Sequence, residues 1–265
     1  YYIRMLFVPN ADSNYNYSSI GLQLNGSYPF DEAKELELSW RWLPGEITTD
    51  PRGNEMLSSL RAVEEETSVY LTDPTGRQNN PLLFDFKAGK NKVTVLCHTG
   101  NMTLLGFYLE SRSTTADYAL VKEEYQERGY QDTKEQYIKI EAEDYKEASS
   151  STLAPDADQA SASVSPADSV HYLYNIISGD RYNSAGQWLL YEFMPEESGL
   201  YEISFHTRQN DKSGFSVTRK LYINDELPFS ECAELTFDYG SGWQSTTLGD
   251  GEENYRFYFE KGKTY

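Results

Sequence analysis

The chain has 265 residues, a formal net charge of −19 and a pI near 4.5, a balance that argues against binding nucleic acid or an anionic membrane, since either needs a basic face to displace counterions. With 22 Tyr, 12 Phe and 4 Trp against 4 Met, its apolar side chains suit half-buried pleated surfaces better than helix bundles, and its length allows one or two domains. No apolar run is long enough to cross a bilayer.

In chain order, Ile3, Met5 and Phe7 alternate with Arg4 and Leu6, the period of a strand with one buried face. Leu22–Leu24 reads as a strand running into a turn at Asn25-Gly26, where the backbone readily takes positive φ, and Pro29 closes the unit. Trp40 and Trp42 flank Arg41 and so share one strand face. Residues 46–66, with their Pro, Gly and acidic side chains, suggest a surface insertion that either carries binding function or is disordered. Lys92-Val-Thr-Val-Leu-Cys and Leu104-Leu-Gly-Phe-Tyr-Leu are strand-like. From Thr115 to Arg128, Tyr118, Val121 and Tyr125 fall on one helical stripe, with Asp117 suited to the start and Gly129 to the stop; this helix reads as a linker. Residues 148–167 are rich in Ser, Ala and Pro without periodicity and read as a mobile loop. Ile203 and Phe205 alternate as Ile3 and Met5 do, Leu221–Ile223 runs into Asn224-Asp225, and the run from Trp243 to Leu248 reads as a strand. Cys97 and Cys232 both sit in apolar surroundings and read as small buried hydrophobes.

The pattern is doubled. Tyr1-Tyr-Ile-Arg-Met-Leu-Phe and Leu22-Gln-Leu-Asn-Gly-Ser-Tyr-Pro-Phe-Asp-Glu-Ala recur as Tyr201-Glu-Ile-Ser-Phe and Leu221-Tyr-Ile-Asn-Asp-Glu-Leu-Pro-Phe-Ser-Glu-Cys, and Leu83-Phe-Asp-Phe-Lys-Ala-Gly-Lys recurs as Arg256-Phe-Tyr-Phe-Glu-Lys-Gly-Lys. The chain is therefore expected to hold two related all-β domains, 1–113 and 137–265, joined by a helical linker at 114–136. The strand-like tail after Lys90 has no counterpart after Lys263, and residues 137–200 have none before Tyr1. The first domain is expected to lack its opening strands and the second its closing ones.

Ile140-Glu-Ala-Glu-Asp-Tyr, followed by Trp188, Tyr191, Pro195, Gly199 and Tyr201 in order, resembles the opening half of carbohydrate-binding modules with a galactose-binding-like, jelly-roll β-sandwich. Gly242-Trp-Gln-Ser-Thr-Thr-Leu and Glu260-Lys-Gly-Lys-Thr look like that family's closing half, so the resemblance spans 137–265. Two such modules joined by a Tyr- and Glu-rich helix, with Arg208-Gln-Asn, Leu227-Pro-Phe and Thr247-Leu-Gly-Asp, resemble the N-terminal region of bacterial extracellular solute-binding proteins of sugar ABC transporters. The resemblance implies a non-catalytic region at the bacterial cell surface, an oligo- or polysaccharide as ligand, and downstream domains of the same polypeptide as partners. Accessory modules of a glycoside hydrolase, and spacer domains without ligand, are the alternatives.

Glu141 and Glu143, at i and i+2 on a strand, point to the same face and could bind a hard cation through oxygen, and the family that residues 137–265 resemble commonly uses this pair for a structural Ca²⁺. The other reading is a solvated acidic edge. Sugar sites combine an aromatic platform with polar groups, because a pyranose has an apolar face to stack and hydroxyls to satisfy. The candidate platforms are Trp40, Trp42, Tyr239 and Trp243, with Arg181, Tyr182, Asn210 and Asp211 as polar contacts. The run from Trp243 to Leu248 reads as a strand, which favours a packed, structural Trp243, whereas Trp40 and Trp42 suggest a solvent-facing pair. His98, His171 and His206 show no metal spacing, and no nucleophile elbow or phosphate-cradling loop is present, so catalysis is not expected.

Overall fold

A computed structural model describes all residues except 11–14, 79, 113 and 135. Strands dominate, and a single α-helix is found among the described residues, so the chain is all-β in class. It divides into two compact units, Tyr1–Arg112 with Glu141–Tyr191, and Ser113–Ile140 with Glu192–Tyr265. These limits differ from the sequence boundaries at 113 and 137: residues 141–191 pack in the first unit, and the helix packs in the second.

The first unit contains β1 (Tyr2–Pro9), β2 (Tyr17–Leu24), β3 (Leu36–Ser39), β4 (Trp42–Leu43), β5 (Ile47–Thr49), β6 (Glu55–Leu57), β7 (Arg61–Ala62), β8 (Thr67–Tyr70), β9 (Val93–Thr99), β10 (Met102–Glu110), β11 (Glu147–Ala148), β12 (Pro155–Asp156), β13 (Ile176–Ile177) and β14 (Leu189–Leu190). β1 lies between β8 and β10, and β2 between β3 and β9, all antiparallel. The alternation read in the sequence is that of the fold: Ile3, Met5 and Phe7 from β1 share one core with Ile20, Leu22 and Leu24 from β2 and Leu36 and Leu38 from β3. Each such side chain, fully buried, contributes about 1.5–3 kcal/mol.

Trp40 and Trp42 are part of this core. They are 1% and 7% exposed, with ring centroids 6.1 Å apart and planes 22° from parallel. The expected solvent-facing pair is not formed, because the face they share is the one β4 turns inward, while Arg41 between them reaches out to Glu147 at 3.1 Å. The insertion at 46–66 is ordered: β5 and β6 form a hairpin fastened to residues far along the chain. The Glu55 N–H donates to the Tyr172 carbonyl at 2.7 Å, the Tyr172 N–H to Asn54 Oδ1 at 3.0 Å, and the Tyr174 hydroxyl accepts from the Leu57 N–H at 3.1 Å. The 148–167 loop is anchored too, since Ala148 and Leu153 are fully buried with Tyr145 in a small second core. Cys97 is exposed, contrary to the sequence reading, whereas Cys232 is fully buried; both thiols are free.

The second unit contains α1 (Tyr118–Glu127), β15 (Gly199–Tyr201), β16 (Ser204–Thr207), β17 (Val217–Arg219), β18 (Leu235–Phe237), β19 (Gln244–Thr247) and β20 (Phe257–Phe259). Asp117 caps α1 by accepting the Leu120 N–H at 2.9 Å, and Gly129, at φ 69°, follows its end. The stripe read from the sequence faces the core of this unit, where Tyr118 packs on Phe229 and Tyr255.

The two copies of the sequence motif make matching hydrogen bonds. The Leu71 N–H donates to the Ile3 carbonyl and the Leu248 N–H to that of Ile203; the Leu82 and Tyr255 N–H groups then close onto Leu71 and Leu248. Asn25-Gly26 and Asn224-Asp225 all take positive φ inside two-residue turns, bridged by Leu24–Ser27 and Ile223–Glu226. A 3₁₀ turn follows in each copy, at Glu32–Lys34 and Ser230–Ala233.

Candidate functional site

The pairing of β16 with β19 sets His206 opposite Ser245 and Thr207 opposite Gln244. Arg208 and Trp243 are the residues next to the last pair of this ladder. Alternation then sorts the side chains. Ile203 and Phe205 point to the core, where the Phe205 ring meets Phe237 edge-on at 5.8 Å. Ser204, His206 and Arg208 lie on the outer face with Thr247, Ser245 and Trp243. There Ser204 Oγ is 2.8 Å from Thr247 Oγ1 and His206 Nδ1 is 3.0 Å from Ser245 Oγ. The His206 ring stacks on Trp243 at 5.4 Å with planes 13° apart, and Arg208 Cζ lies 4.9 Å from the Trp243 ring centroid. Trp243 is half-buried, whereas His206 and Arg208 are exposed.

Two loops meet at the end of this ladder. The Gly240 N–H donates to the Gln209 carbonyl at 2.8 Å, joining 208–216 to 238–243. The Gln209 side chain organises the first loop, donating to the Phe215 carbonyl at 2.7 Å and accepting from the Asp211 N–H at 3.0 Å. Asn210, Asp211 and Tyr239, carried on these loops, are exposed. A rigid aromatic with a cation against its ring and several exposed polar groups around it can stack an apolar ring face and hydrogen-bond hydroxyls or carboxylates at its edge.

Of the predicted ligand residues, Asn210, Asp211, Tyr239 and Trp243 lie in the second unit, on the two loops that the Gln209–Gly240 hydrogen bond joins. The others do not join them. Trp40 and Trp42 are core residues of the first unit. Arg181, also in that unit, lies 3.7 Å from Asp156, and Tyr182 packs against the small core around Tyr145. His206 and Arg208 were missed by sequence reading; continuing the Ile203–Phe205 alternation by three residues puts both on the polar face opposite the Trp243 strand.

Glu141 and Glu143 lie in a turn closed by the Asp144 N–H and the Glu141 carbonyl at 3.2 Å, not on a strand. Among the described residues, no group of three or more His, Cys, Asp or Glu side chains could hold a metal ion.

A groove of 580 Å³ lies elsewhere in the second unit, lined by Glu231, Glu234, Thr236, Thr246 and Asp250 among others. The first unit has a groove of 360 Å³ at the matching place, between its 3₁₀ turn and the loop after β8, lined by Glu32, Glu35, Glu37 and Thr75 among others. A cavity that recurs with the motif is accounted for by the motif, and Glu231 is occupied in accepting the Tyr118 N–H at 3.0 Å. The Trp243 face has the better claim. No helix among the described residues is long and apolar enough to cross a membrane. No family model matches this chain, and neither does any curated protein or solved structure.

Proposed function

We propose that this chain is a non-catalytic carbohydrate-binding region built on two galactose-binding-like β-sandwiches, belonging to an extracellular solute-binding protein of a bacterial sugar transporter. Its glycan-contacting surface is the outer face of β16 and β19, with Trp243 as the stacking platform. The observation that carries this reading is the half-buried Trp243 held between strand neighbours, with Arg208 4.9 Å from its ring, at a rim where Asn210, Asp211 and Tyr239 are exposed. The resemblance of residues 137–265 to carbohydrate-binding modules supplies the ligand class.

A second reading, a spacer without ligand, is supported by the same stack: His206 and Arg208 already contact Trp243. Affinity electrophoresis against a panel of polysaccharides, with and without calcium, separates the two. Retardation by at least one polysaccharide, reduced about tenfold or more by Trp243→Ala, is expected from the loss of a stacking platform. Mobility unchanged on every polysaccharide leaves the spacer.

A further inference from the structure

The loops 208–216 and 238–243 of the second unit are tied to each other at two points. The Gly240 N–H donates to the Gln209 carbonyl at 2.8 Å, and Ser216 Oγ donates to Asp238 Oδ1 at 2.7 Å. Ser216 and Asp238 are the residues next to the Val217–Phe237 pair that ends the β17–β18 ladder. Phe215 is the residue before Ser216 and Tyr239 the one after Asp238, and both are exposed, at 66% and 38%.

The backbone of Phe215 is held at both of its polar groups. Its N–H donates to the Lys212 carbonyl at 3.2 Å, across a turn in which Gly214 takes φ 79°, and its carbonyl accepts from Gln209 Nε2 at 2.7 Å. A Cβ at position 214 would meet no atom within 4 Å, so the glycine serves the turn through its φ and not through its size. An exposed apolar side chain standing singly needs no explanation. Phe215 does not stand singly: its loop is bonded to the loop that carries Tyr239 and leads to Trp243, and Asn210 and Asp211 are exposed on its own loop. An aromatic ring with two χ angles on a fixed backbone loses little entropy when it stacks on a ligand.

Tyr239 and Trp243 are four residues apart, so their Cα atoms lie within about 14 Å of each other. Trp243 adjoins the β16–β19 ladder, whereas Phe215 and Tyr239 adjoin the β17–β18 ladder, and the two ladders share no strand. Rings mounted on separate ladders make separate stacking positions, and a ligand that uses both is longer than one sugar. Resting on the reading of Trp243 as the platform of a glycan surface, we propose that Phe215 is a further ligand-contacting residue, which with Tyr239 makes a second stacking subsite, and that the ligand is a glycan chain of two or more consecutive residues.

The test is affinity electrophoresis of the full chain on laminarin, xylan, galactan, galactomannan and pectin, followed by competition with oligosaccharides of increasing length released by acid from the polysaccharide that retards it. Phe215→Ala is expected to weaken retardation about fivefold or more, and Phe215→Tyr to preserve it. The urea midpoint of Phe215→Ala is expected to stay in place, because the ring is mostly exposed. Competition by free oligosaccharide is expected to strengthen about tenfold between one residue and three, as the second contact becomes intramolecular, and to be flat with length in Phe215→Ala. Retardation that survives Phe215→Ala and is lost in Trp243→Ala overturns the second subsite and leaves the Trp243 reading standing. Equal competition by one residue and by three in the unsubstituted chain overturns the chain as ligand. No retardation of the unsubstituted chain on any of these polysaccharides overturns the glycan reading and this inference with it.

Discussion

The Tyr118 hydroxyl accepts the backbone N–H of Arg256 at 2.9 Å and lies 3.5 Å from the Asn254 carbonyl, tying the first turn of α1 to the chain entering β20, 138 residues away. Its ring meanwhile packs on Phe229 and Tyr255 at centroid distances of 4.9 and 4.7 Å. Tyr118→Phe keeps the ring and leaves the Arg256 N–H without its acceptor, an expected cost of about 1–2 kcal/mol. Tyr118→Ala also empties the ring's place and is expected to cost about 3–5 kcal/mol. Urea unfolding followed by exchange at 229–257 checks both. Equal small losses would show the helix to be a tether rather than part of the core.

Trp40 and Trp42 differ in one atom's surroundings. Trp40 Nε1 donates to Ser18 Oγ at 3.2 Å, and Ser18 is fully buried. Trp42 Nε1 is buried and finds no acceptor among the described residues. Replacing each by Phe removes a similar volume, but only Trp40→Phe breaks a bond and strands a buried hydroxyl. Trp40→Phe is therefore expected to be the more destabilising by about 1–2 kcal/mol, measured as a shift in urea midpoint at unchanged m-value.

What the sequence disclosed, and what it withheld, follows from the range of the interactions. Asp117 and Gly129 mark the ends of α1 because capping is local, but the burial of Tyr118 depends on Phe229 and Tyr255, more than a hundred residues on. The shared face of Trp40 and Trp42 was legible from their spacing. Its direction was not, since it is set where β4 meets Ala148 of β11. Likewise the 46–66 insertion carries no strong pattern of its own and is ordered by Tyr172 and Tyr174. At the candidate site, Trp243, Tyr239, Asn210 and Asp211 were visible as residue types suited to a sugar rim, whereas His206 and Arg208 required the register between β16 and β19.

The two thiols are expected to react very differently. Burial, with a smaller contribution from the nearby Glu231 carboxylate, pushes the Cys232 thiol up to about 12, and the side chain is fully buried. Cys97 is exposed. Since the thiolate is the reactive form, Ellman's reagent at pH 8 is expected to titrate one thiol rapidly in the native chain and two in denaturant. Rapid reaction of both without denaturant would contradict the packing of Cys232.

Acid is expected to loosen the first unit at a defined place. The His171 side chain, 2.9 Å from the Asp168 carboxylate, together with the backbone N–H groups of His171 and Val170, lowers the Asp168 pKa to about 2 from an ordinary value of 3.8. A depressed carboxylate stabilises the fold above its unfolded pKa, and that contribution fades as pH falls from about 4 towards 2. Because Tyr172 fastens the β5–β6 hairpin, exchange at 168–172 and 53–56 is expected to quicken over this window. In Asp168→Asn those segments should exchange faster at pH 7 and lose the acid step; an unaltered step would place its origin in another carboxylate.

The doubled turn offers the most direct test that the two copies are built alike. At Asn25-Gly26 the second residue has φ 90° and is glycine, and a Cβ added there would meet no atom within 4 Å. At Asn224-Asp225 the same place, at φ 65°, is held by Asp. Left-handed backbone favours glycine over any residue with a Cβ, though Asp tolerates it better than most. Exchanging the two should therefore move local stability in opposite directions. Gly26→Asp is expected to destabilise its turn by about 0.5–1 kcal/mol with no steric contribution. Asp225→Gly is expected to stabilise its own turn by somewhat less, because the added glycine also frees the unfolded chain. Since a chain of two units need not unfold in one step, the readout is local: exchange of the Leu24 and Ser27 amides should quicken in the first variant, and that of Ile223 and Glu226 should slow in the second. A change of the same sign in both would mean that the two turns, despite matching φ and matching bridges, are held by different surroundings.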